Sequence, residues 1–455
     1  GLGRTGEEDG RLDPDGVVEA LATLQRFARL AEGMGVTEMR AVATSAVRDA
    51  SDGPDFVAEV EKQTGIEVRV LTGAEEAECS ACGVLGGIPD ADGAMGDIGG
   101  GSLELVLLNQ GRIGDNATLP VGALRLMRLG GRSDMRKRIV EGLETVPWLG
   151  KVAGRQLYLV GGAWRAIARL HMAQTRYPLR VIQHYRLPAD VAFETARQLS
   201  KQSAEALALI EGVPKRRLEE LPPAALVLQR LIEATKPAAV VFSAHGLREG
   251  LWFRALSPAQ KREHPFLAAC RDMAAREGRF GDHGEVLDAF VAPLFAGDIA
   301  DLARLRLAAC LLSDIAWNVN PDYRADHAFG RLLHAPFSLE HEGRVRLALA
   351  LFARYQGSVH GALTGGLGAL AGKDAQAWAE RLGRALRLAY GFSGGSADIL
   401  SRASLSLGGR HLTLELPAAD AALVDDGVRS RLQVLADMVD RPASIKIGSE
   451  RVTPR

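Results

Sequence analysis

Three consecutive glycines, Gly99, Gly100 and Gly101, lie between two strand-like patterns in the stretch MGDIGGGSLELVLL at residues 95–108. Glycine weakens the interior of a strand, because it loses more backbone entropy on folding and offers no side chain to pack. The run therefore predicts either a special backbone turn or the close approach of a ligand. A tight glycine turn directs backbone N–H groups toward one point, which favours binding of an anion, and Ser102 adds a hydroxyl donor.

Two acids flank this glycine loop, with Asp97 before it and Glu104 after it. Side chains alternate along a strand, so both acids can face the same cleft. Carboxylates beside a bound phosphate commonly coordinate a hard divalent cation, most often Mg²⁺. The pattern predicts a phosphate site with Asp97 and Glu104 as metal ligands. The alternative is a glycine-rich hairpin with incidental acids, because a glycine loop alone is a weak signal.

The composition is that of an ordinary soluble globular protein of 455 residues, with 47% apolar and 24% charged residues. This length predicts about two to four domains. The formal net charge of −1 gives no global positive field for nucleic acid, and no nucleic-acid partner is expected. Four cysteines are too few for a disulfide framework, which favours a cytoplasmic location, and no apolar run reaches membrane-spanning length.

Helical and strand-like patterns alternate in the first part of the chain, which predicts an α/β fold with a largely parallel sheet. Helices are expected from Pro14 to Gly33, over 55–65 and from Thr72 to Val84. Strands are expected at 38–44 and 66–72. In the Cys79-x-x-Cys82 pair, both cysteines fall inside the last of these helices and are interpreted as small helix residues.

Changes in residue composition and hydrophobic pattern along the chain predict four domains. A first α/β lobe is expected at 1–93 and a second at 94–257. Residues 258–400 carry Ala, Leu and Arg at helical spacing, which predicts a helical domain. Residues 401–455 read as a small α+β unit that opens with a hairpin and continues with a helix at about 418–440.

The glycine loop also resembles a phosphate motif of a known family. The segment DIGGGSLEL is similar to that of the exopolyphosphatase/guanosine pentaphosphate phosphatase family, within the sugar kinase, actin and heat-shock chaperone superfamily. Four further stretches match this family in order: ATSAVRDA at 43–50, LTGAEEAE at 71–78, LYLVGGAWRAIARLHM at 157–172 and GLREGL at 246–251. The resemblance implies two ribonuclease H-like (actin-like ATPase) lobes up to about residue 257. A looser resemblance continues through a helical HD-like domain to about 400.

The resemblance also implies roles for individual residues. Glu76 corresponds to the catalytic base and Arg48 to an arginine that contacts substrate phosphate. Asp97 corresponds to an acid that holds metal and water, and Glu104 to the acid after the loop. The loop itself, Gly99 to Ser102, would hold the transferred phosphate. The implied cofactor is Mg²⁺, the implied substrate is inorganic polyphosphate or guanosine pentaphosphate, and the implied assembly is a homodimer without a membrane partner.

The chemistry of phosphoanhydride hydrolysis supports these roles independently. The reaction needs a water in line with the terminal phosphorus, together with neutralisation of charge around it. A helix-borne carboxylate such as Glu76 can orient and deprotonate that water, and Arg48 can bind phosphate bidentately. The alternatives are a solvated Glu76 in the first turns of its helix and a surface Arg48. Glu75 is interpreted as a plain solvated acid and His245 as a turn residue.

The sequence departs from the family pattern at two places. An Asp-x-Gly-Ser-Asn-Ser hairpin is expected before the segment GLGRT and is not in the sequence, so we expect either a fragment of a complete enzyme or an impaired native chain, and favour the first. Ser313-Asp314 stands where the helical domain would carry a His-Asp pair, which favours a structural domain without metal. The histidines of that region have no recognisable metal spacing: His283, His327, His334 and His341.

The leading hypothesis is therefore a Mg²⁺-dependent exopolyphosphatase that releases terminal phosphate from inorganic polyphosphate. Hydrolysis of guanosine pentaphosphate is the alternative within enzymes, because the same loop and base would serve. A non-catalytic regulator that binds an alarmone or polyphosphate is the alternative from another class. The basic stretch at 125–138 is a candidate track for a long polyanion, and is equally well interpreted as an ordinary solvated helix and loop.

Overall fold

The chain divides into two units, Gly1–Arg262 and Glu263–Arg455, in a computed structural model. Each unit is described by itself. The structure describes residues 2–3, 10–208, 217–280, 283–362 and 366–448.

The first part of the first unit is a small α/β layer in which strands β1 and β2 pair in parallel, as the alternating pattern predicts. Both strands are shorter than the predicted ranges 38–44 and 66–72, because only Ala41–Ala43 and Val68–Val70 pair with each other. The elements are α1 (Pro14–Gly33), β1 (Ala41–Ala43), α2 (Ser45–Arg48), α3 (Gly53–Thr64), β2 (Val68–Val70) and α4 (Gly73–Gly87).

Local signals explain where these helices begin and end. The Asp13 carboxylate accepts a hydrogen bond from the Gly16 amide at 2.6 Å, which caps α1 just before Pro14. Gly65 ends α3 with φ of 69°, a left-handed conformation that glycine adopts without strain. Thr72 and Glu75 form a capping box at the start of α4. Glu75 faces solvent, as interpreted, and it has a capping role besides, because its carboxylate accepts a hydrogen bond from the Thr72 amide at 2.9 Å.

The rest of the first unit is built on a sheet of six strands among the described residues, with the order β5-β4-β3-β6-β8-β7. β4 and β5 are antiparallel and form the predicted hairpin, whereas β3, β6 and β8 run parallel to each other. β7 is antiparallel to β8, and the sequence patterns did not reveal it. The strands are β3 (Gly93–Ile98), β4 (Leu103–Asn109), β5 (Arg112–Leu119), β6 (Gln156–Val160), β7 (Tyr185–Pro188) and β8 (Ala239–Phe242).

Helices cover this large sheet, and most of its core lies against them. They are α5 (Ala123–Met127), α6 (Arg132–Glu144), α7 (Gly162–Gln174), α8 (Ala189–Leu199), α9 (Ala204–Ala208), α10 (Leu221–Thr235), α11 (Leu247–Ala255) and α12 (Pro258–Arg262).

The second unit confirms the predicted helical region. Its helices are α13 (Pro265–Glu277), α14 (His283–Val291), α15 (Ala300–Leu311), α16 (Arg324–Leu333), α17 (His341–Gln356), α18 (Leu367–Ser393), α19 (Ala397–Arg402) and α20 (Asp426–Asp437). The mixed α/β class with a helical region is thus confirmed. The four predicted domain boundaries stay predictions.

A small sheet ends the described chain. The predicted hairpin is present, with β9 (Ser404–Leu407) antiparallel to β10 (Leu412–Pro417). β11 (Ala443–Gly448) joins the other edge of β10 in parallel. The single helix expected at 418–440 is wrong in extent, because a 3₁₀ segment at Ala418–Leu423 precedes α20.

Helix α4 packs on the large sheet and not on the small β1–β2 layer. Its apolar face, which includes Ala77, Ala81 and Val84, shares one core cluster with Met95 and Val106 of the sheet. The small layer has a separate core. Helix α4 also crosses α11 so closely that both helices need glycine at the contact. A Cβ on Gly83 would overlap the carbonyl of Gly246, and a Cβ on Gly250 would overlap that of Cys79.

Replacing Gly250 by alanine is expected to lower the free energy of unfolding by about 1–3 kcal/mol, because the added methyl overlaps backbone atoms of α4 in a tightly packed crossing. Urea unfolding followed by circular dichroism measures the change. Gly142→Ala is the matched control in the same unit. Its methyl would meet the Leu119 side chain at 3.6 Å, so stability should stay unchanged or rise by up to about 1 kcal/mol. A Gly250→Ala protein as stable as the wild type would contradict the close crossing.

Candidate active site

Hydrogen bonds to the carbonyl groups of the glycine loop fix the orientation of its peptide units. The Gly99 amide donates to the Ser102 carbonyl at 3.0 Å, which closes the turn between β3 and β4. The carbonyls of Gly99 and Gly100 accept from the Ala123 and Leu124 amides of α5 at 3.1 and 2.9 Å. Since the carbonyls face α5, the amides point elsewhere. Within the part of the chain that the structure describes, the amides from Gly100 to Ser102 donate no hydrogen bond, as in an anion-binding nest.

Close packing behind the loop depends on Gly122, which the sequence patterns did not single out. A Cβ at this position would overlap the Gly101 carbonyl carbon and the Ser102 amide nitrogen. The backbone of the loop therefore lies directly on the residue that starts α5. The signal available in the sequence was a glycine between a strand and a helix, at the position just before the helix begins.

The two acids that flank the loop are direct partners in the β3–β4 ladder, where Asp97 lies opposite Glu104. Partners in an antiparallel pair project to the same face of the sheet, as predicted from the alternation. Asp97 accepts a hydrogen bond from the Ser80 hydroxyl at 2.6 Å. Ser80 was missed, although it lies one helical turn after Glu76 on the same face of α4.

Glu76 approaches the same place from α4. Its side chain is 8% exposed and that of Glu104 is 1% exposed, so both carboxylates are buried. Burial and the neighbouring Glu76 raise the pKa of Glu104 to about 8. Burial also raises the pKa of Glu76, an effect that Asp97 reinforces and Arg48 opposes. The three carboxylates thus lie close enough to disfavour one another's ionisation.

Arg48, the last residue of α2, is bound to the predicted base. Its Nη1 lies 3.1 Å from Glu76 Oε2 and donates to the Leu71 carbonyl at 2.8 Å. Its Nε faces Asp49 at 3.5 Å. Its Nη2 makes no hydrogen bond or ion pair with any described residue, so two of the five guanidinium donors remain available.

The predicted metal ligands fit a hard cation by their chemistry. Glu104 Oε1 and Ser102 Oγ are buried and have no hydrogen-bond partner among the described residues, so an oxygen-seeking group has donor atoms to use. In the described ranges, no group of three or more His, Cys, Asp or Glu side chains is arranged so that it could hold a metal ion by itself. Mg²⁺ commonly uses one or two carboxylates and keeps several waters, so the pair of Asp97 and Glu104 suits it. These roles stay predictions.

The other residues singled out from the sequence lie apart from this cluster. Cys79 and Cys82 are buried free thiols on α4. His245 follows β8, its amide donates to the Ser243 hydroxyl at 3.1 Å, and burial lowers its pKa. No helix in the described residues is long and apolar enough to cross a membrane.

In the second unit, Ser313 and Asp314 join a buried polar cluster. Asp314 accepts hydrogen bonds from Arg279 Nε at 2.9 Å and Nη2 at 2.6 Å, so a guanidinium faces this carboxylate. His283 Nε2 lies 3.2 Å from the Ser313 hydroxyl and 2.9 Å from that of Tyr390. His327 lies on α16, His334 ends it and His341 begins α17.

The metal-free protein is expected to lose stability as pH rises from about 4.5 to about 8, because in that range unfolded Glu104 releases a proton that the folded protein retains. Glu104→Gln should remove much of this loss, and each unit of pKa shift corresponds to about 1.4 kcal/mol. Urea unfolding in chelator at pH 5 and pH 8 measures it. Glu67→Gln, at an exposed position, is the control and should keep the wild-type dependence. Equal pH dependence in wild type and Glu104→Gln would refute the assignment.

Comparisons with known proteins place the chain in a family. A model of the "Ppx/GppA phosphatase family" matches residues 2–258, and a model of "Exopolyphosphatase, C-terminal" matches residues 267–445. The chain is 30% identical to exopolyphosphatase 1 of Mycobacterium tuberculosis over 276 residues, which cover 56% of this chain and 78% of that protein.

Two further matches extend this comparison. Retrograde regulation protein 2 of Saccharomyces cerevisiae is 25% identical over 382 residues, or 76% of this chain, and the match spans only 64% of that protein's length. The crystal structure of an exopolyphosphatase from Cytophaga hutchinsonii is similar in fold, with a TM-score of 0.52 and 24% identity over 56% of this chain and 88% of that one. Since the first family model covers more than half of the residues, the chain belongs to the Ppx/GppA phosphatase family.

Proposed function

We propose that this protein is a Mg²⁺-dependent exopolyphosphatase that hydrolyses the terminal phosphate from inorganic polyphosphate. The observation that carries the proposal is the meeting of Glu76, Asp97 and Glu104 beside a loop in which the amides of Gly100, Gly101 and Ser102 donate to no described residue. Unpaired amides suit a phosphate group, and a raised carboxylate pKa suits a base that must take up a proton. The family membership supports the same reaction class.

Each residue then has a separate task. The amides of Gly100, Gly101 and Ser102 bind the oxygens of the terminal phosphate. Glu76 accepts a proton from the attacking water, and the ion pair with Arg48 holds its carboxylate in position. The available Nη2 of Arg48 donates to a phosphate oxygen. When Mg²⁺ is bound, Asp97 and Glu104 would hold it, and it would supply charge neutralisation at the phosphate.

Phosphate release from long-chain polyphosphate by the full-length protein tests the proposal. Release that requires added Mg²⁺ and stops with chelator supports it. Hydrolysis of guanosine pentaphosphate would use the same residues, because only the leaving group differs. Rates on the two substrates side by side decide between them, and absence of metal-dependent release from either would refute the proposed activity.

A non-catalytic regulator is the second candidate, because the match with retrograde regulation protein 2 covers 76% of this chain. Such a protein would bind polyphosphate or a phosphate-rich nucleotide without turnover. Turnover that disappears in Glu76→Gln while binding is retained would exclude this candidate.

Glu76→Gln is expected to lower kcat by about 10²–10⁴ and to leave KM nearly unchanged, because the amide cannot accept the proton from water. Steady-state phosphate release at saturating Mg²⁺ measures both constants. Glu78→Gln is the matched control, since Glu78 lies two residues away on the same helix and is about half exposed. A loss of less than a few-fold would place the base elsewhere.

Asp97→Asn is expected to weaken Mg²⁺ binding rather than proton transfer, because the change removes a charged ligand and leaves the base intact. Activity should fall at low Mg²⁺ and recover in part at high Mg²⁺. A Mg²⁺ titration of the wild type, Asp97→Asn and Glu76→Gln separates the two roles. Rescue of Glu76→Gln by Mg²⁺, without rescue of Asp97→Asn, would show that the two roles are reversed.

A further inference from the structure

A cavity of about 520 Å³ is lined by Ser45 and Asp49 on one side, by Gly100 and Gly101 of the loop, and by Arg125 and Arg128 after it. This volume is typical of small-molecule sites. The cavity shares the backbone of Gly100 and Gly101 with the terminal-phosphate site, so a ligand that continues beyond that phosphate enters it.

Arg125 is fixed to the loop by its own backbone. Its amide donates to the Gly100 carbonyl at 3.1 Å, in the same set of bonds that orients the loop. Its guanidinium Nη2 lies 3.1 Å from Asp49 Oδ2. The backbone of Arg125 is therefore fixed relative to the loop, and its guanidinium is held beside the loop by Asp49.

Asp49 links two arginines across this cavity. Its Oδ2 faces Arg125, and its Oδ1 lies 3.5 Å from Arg48 Nε. An anionic group with two oxygens between two guanidinium groups has the charge and donor pattern that a phosphate would have in its place. The Asp49 side chain is 48% exposed, so these ion pairs are weak and a polyanion can displace them.

We propose that Arg125 forms a second phosphate subsite, which takes the phosphate next to the terminal one, and that Asp49 occupies it until substrate enters. This inference rests on the proposed function and names the residues that make the site prefer a phosphate chain over a single phosphate. Orthophosphate fills only the loop, whereas tripolyphosphate reaches both positions.

Binding of tripolyphosphate and of orthophosphate to the full-length protein, measured by titration calorimetry in chelator at constant salt, tests the subsite. Arg125→Met is expected to weaken tripolyphosphate binding about 10–100-fold, because charge-assisted bonds to one phosphate are lost, and to change orthophosphate binding less than about 2-fold. Arg186→Met is the matched control, at an exposed position on β7, and should change tripolyphosphate binding less than about 2-fold.

Asp49→Asn is expected to change the affinity for tripolyphosphate in the opposite direction. A misfolded variant could not produce such a gain in affinity. Removal of the competing carboxylate should tighten tripolyphosphate binding several-fold, and Asp55→Asn, exposed on α3, should leave it unchanged. Weaker binding to Asp49→Asn would overturn its role as the displaced group.

Failure of the subsite and failure of the proposed function give different results. If Arg125→Met binds tripolyphosphate as tightly as the wild type does, the subsite is wrong, whether or not polyphosphate is hydrolysed. If the variants behave as expected and the wild type releases no phosphate with Mg²⁺, the subsite stands and the proposed hydrolysis is wrong. A wild-type protein that binds no tripolyphosphate overturns the subsite.

Discussion

The hydrogen bonds from the start of α5 to the carbonyls of the glycine loop determine what the loop can bind. A peptide unit has its carbonyl and its neighbouring amide on opposite sides, so fixing the carbonyls of Gly99 and Gly100 toward α5 turns the following amides away from it. The close approach needs a bare backbone at Gly122 as well as in the loop. The glycines on both sides of this contact therefore serve one purpose, which is to present amide donors without side chains in front of them.

The carboxylates around the loop lower the free energy of unfolding of the metal-free protein. Glu104 is nearly inaccessible to water, and Glu76 and Asp97 add negative potential, so its neutral form persists to about pH 8. A chain selected for stability alone would place an apolar or amide side chain at such a position. Retention of ionisable groups beside an anion-binding loop is the pattern expected of a site where a cation and a phosphate are brought together.

Features that depend on neighbouring residues were predictable from the sequence, and features that depend on distant ones were not. The cap at Asp13, the glycine that ends α3 and the facing positions of Asp97 and Glu104 follow from local propensity and strand alternation. The packing of α4 on the large sheet, the need for glycine at Gly122 and the link from Asp49 to Arg125 each join segments far apart in the chain. No periodicity within one segment carries that information.

The placement of α4 divides the proposed catalytic groups between two separately packed parts of the first unit. Glu76 and the glycine loop both belong to the large sheet and its helices, so their separation is set by one packed core. Arg48 belongs to the small β1–β2 layer, which has its own core, and its guanidinium reaches Glu76 through an ion pair. A hinge-like displacement of the small layer would leave the distance from base to phosphorus unchanged and would alter only the distance from the arginine to the phosphate. Such a displacement would change how strongly Arg48 stabilises the negative charge of the phosphate, while the attacking water stays aligned with the phosphorus.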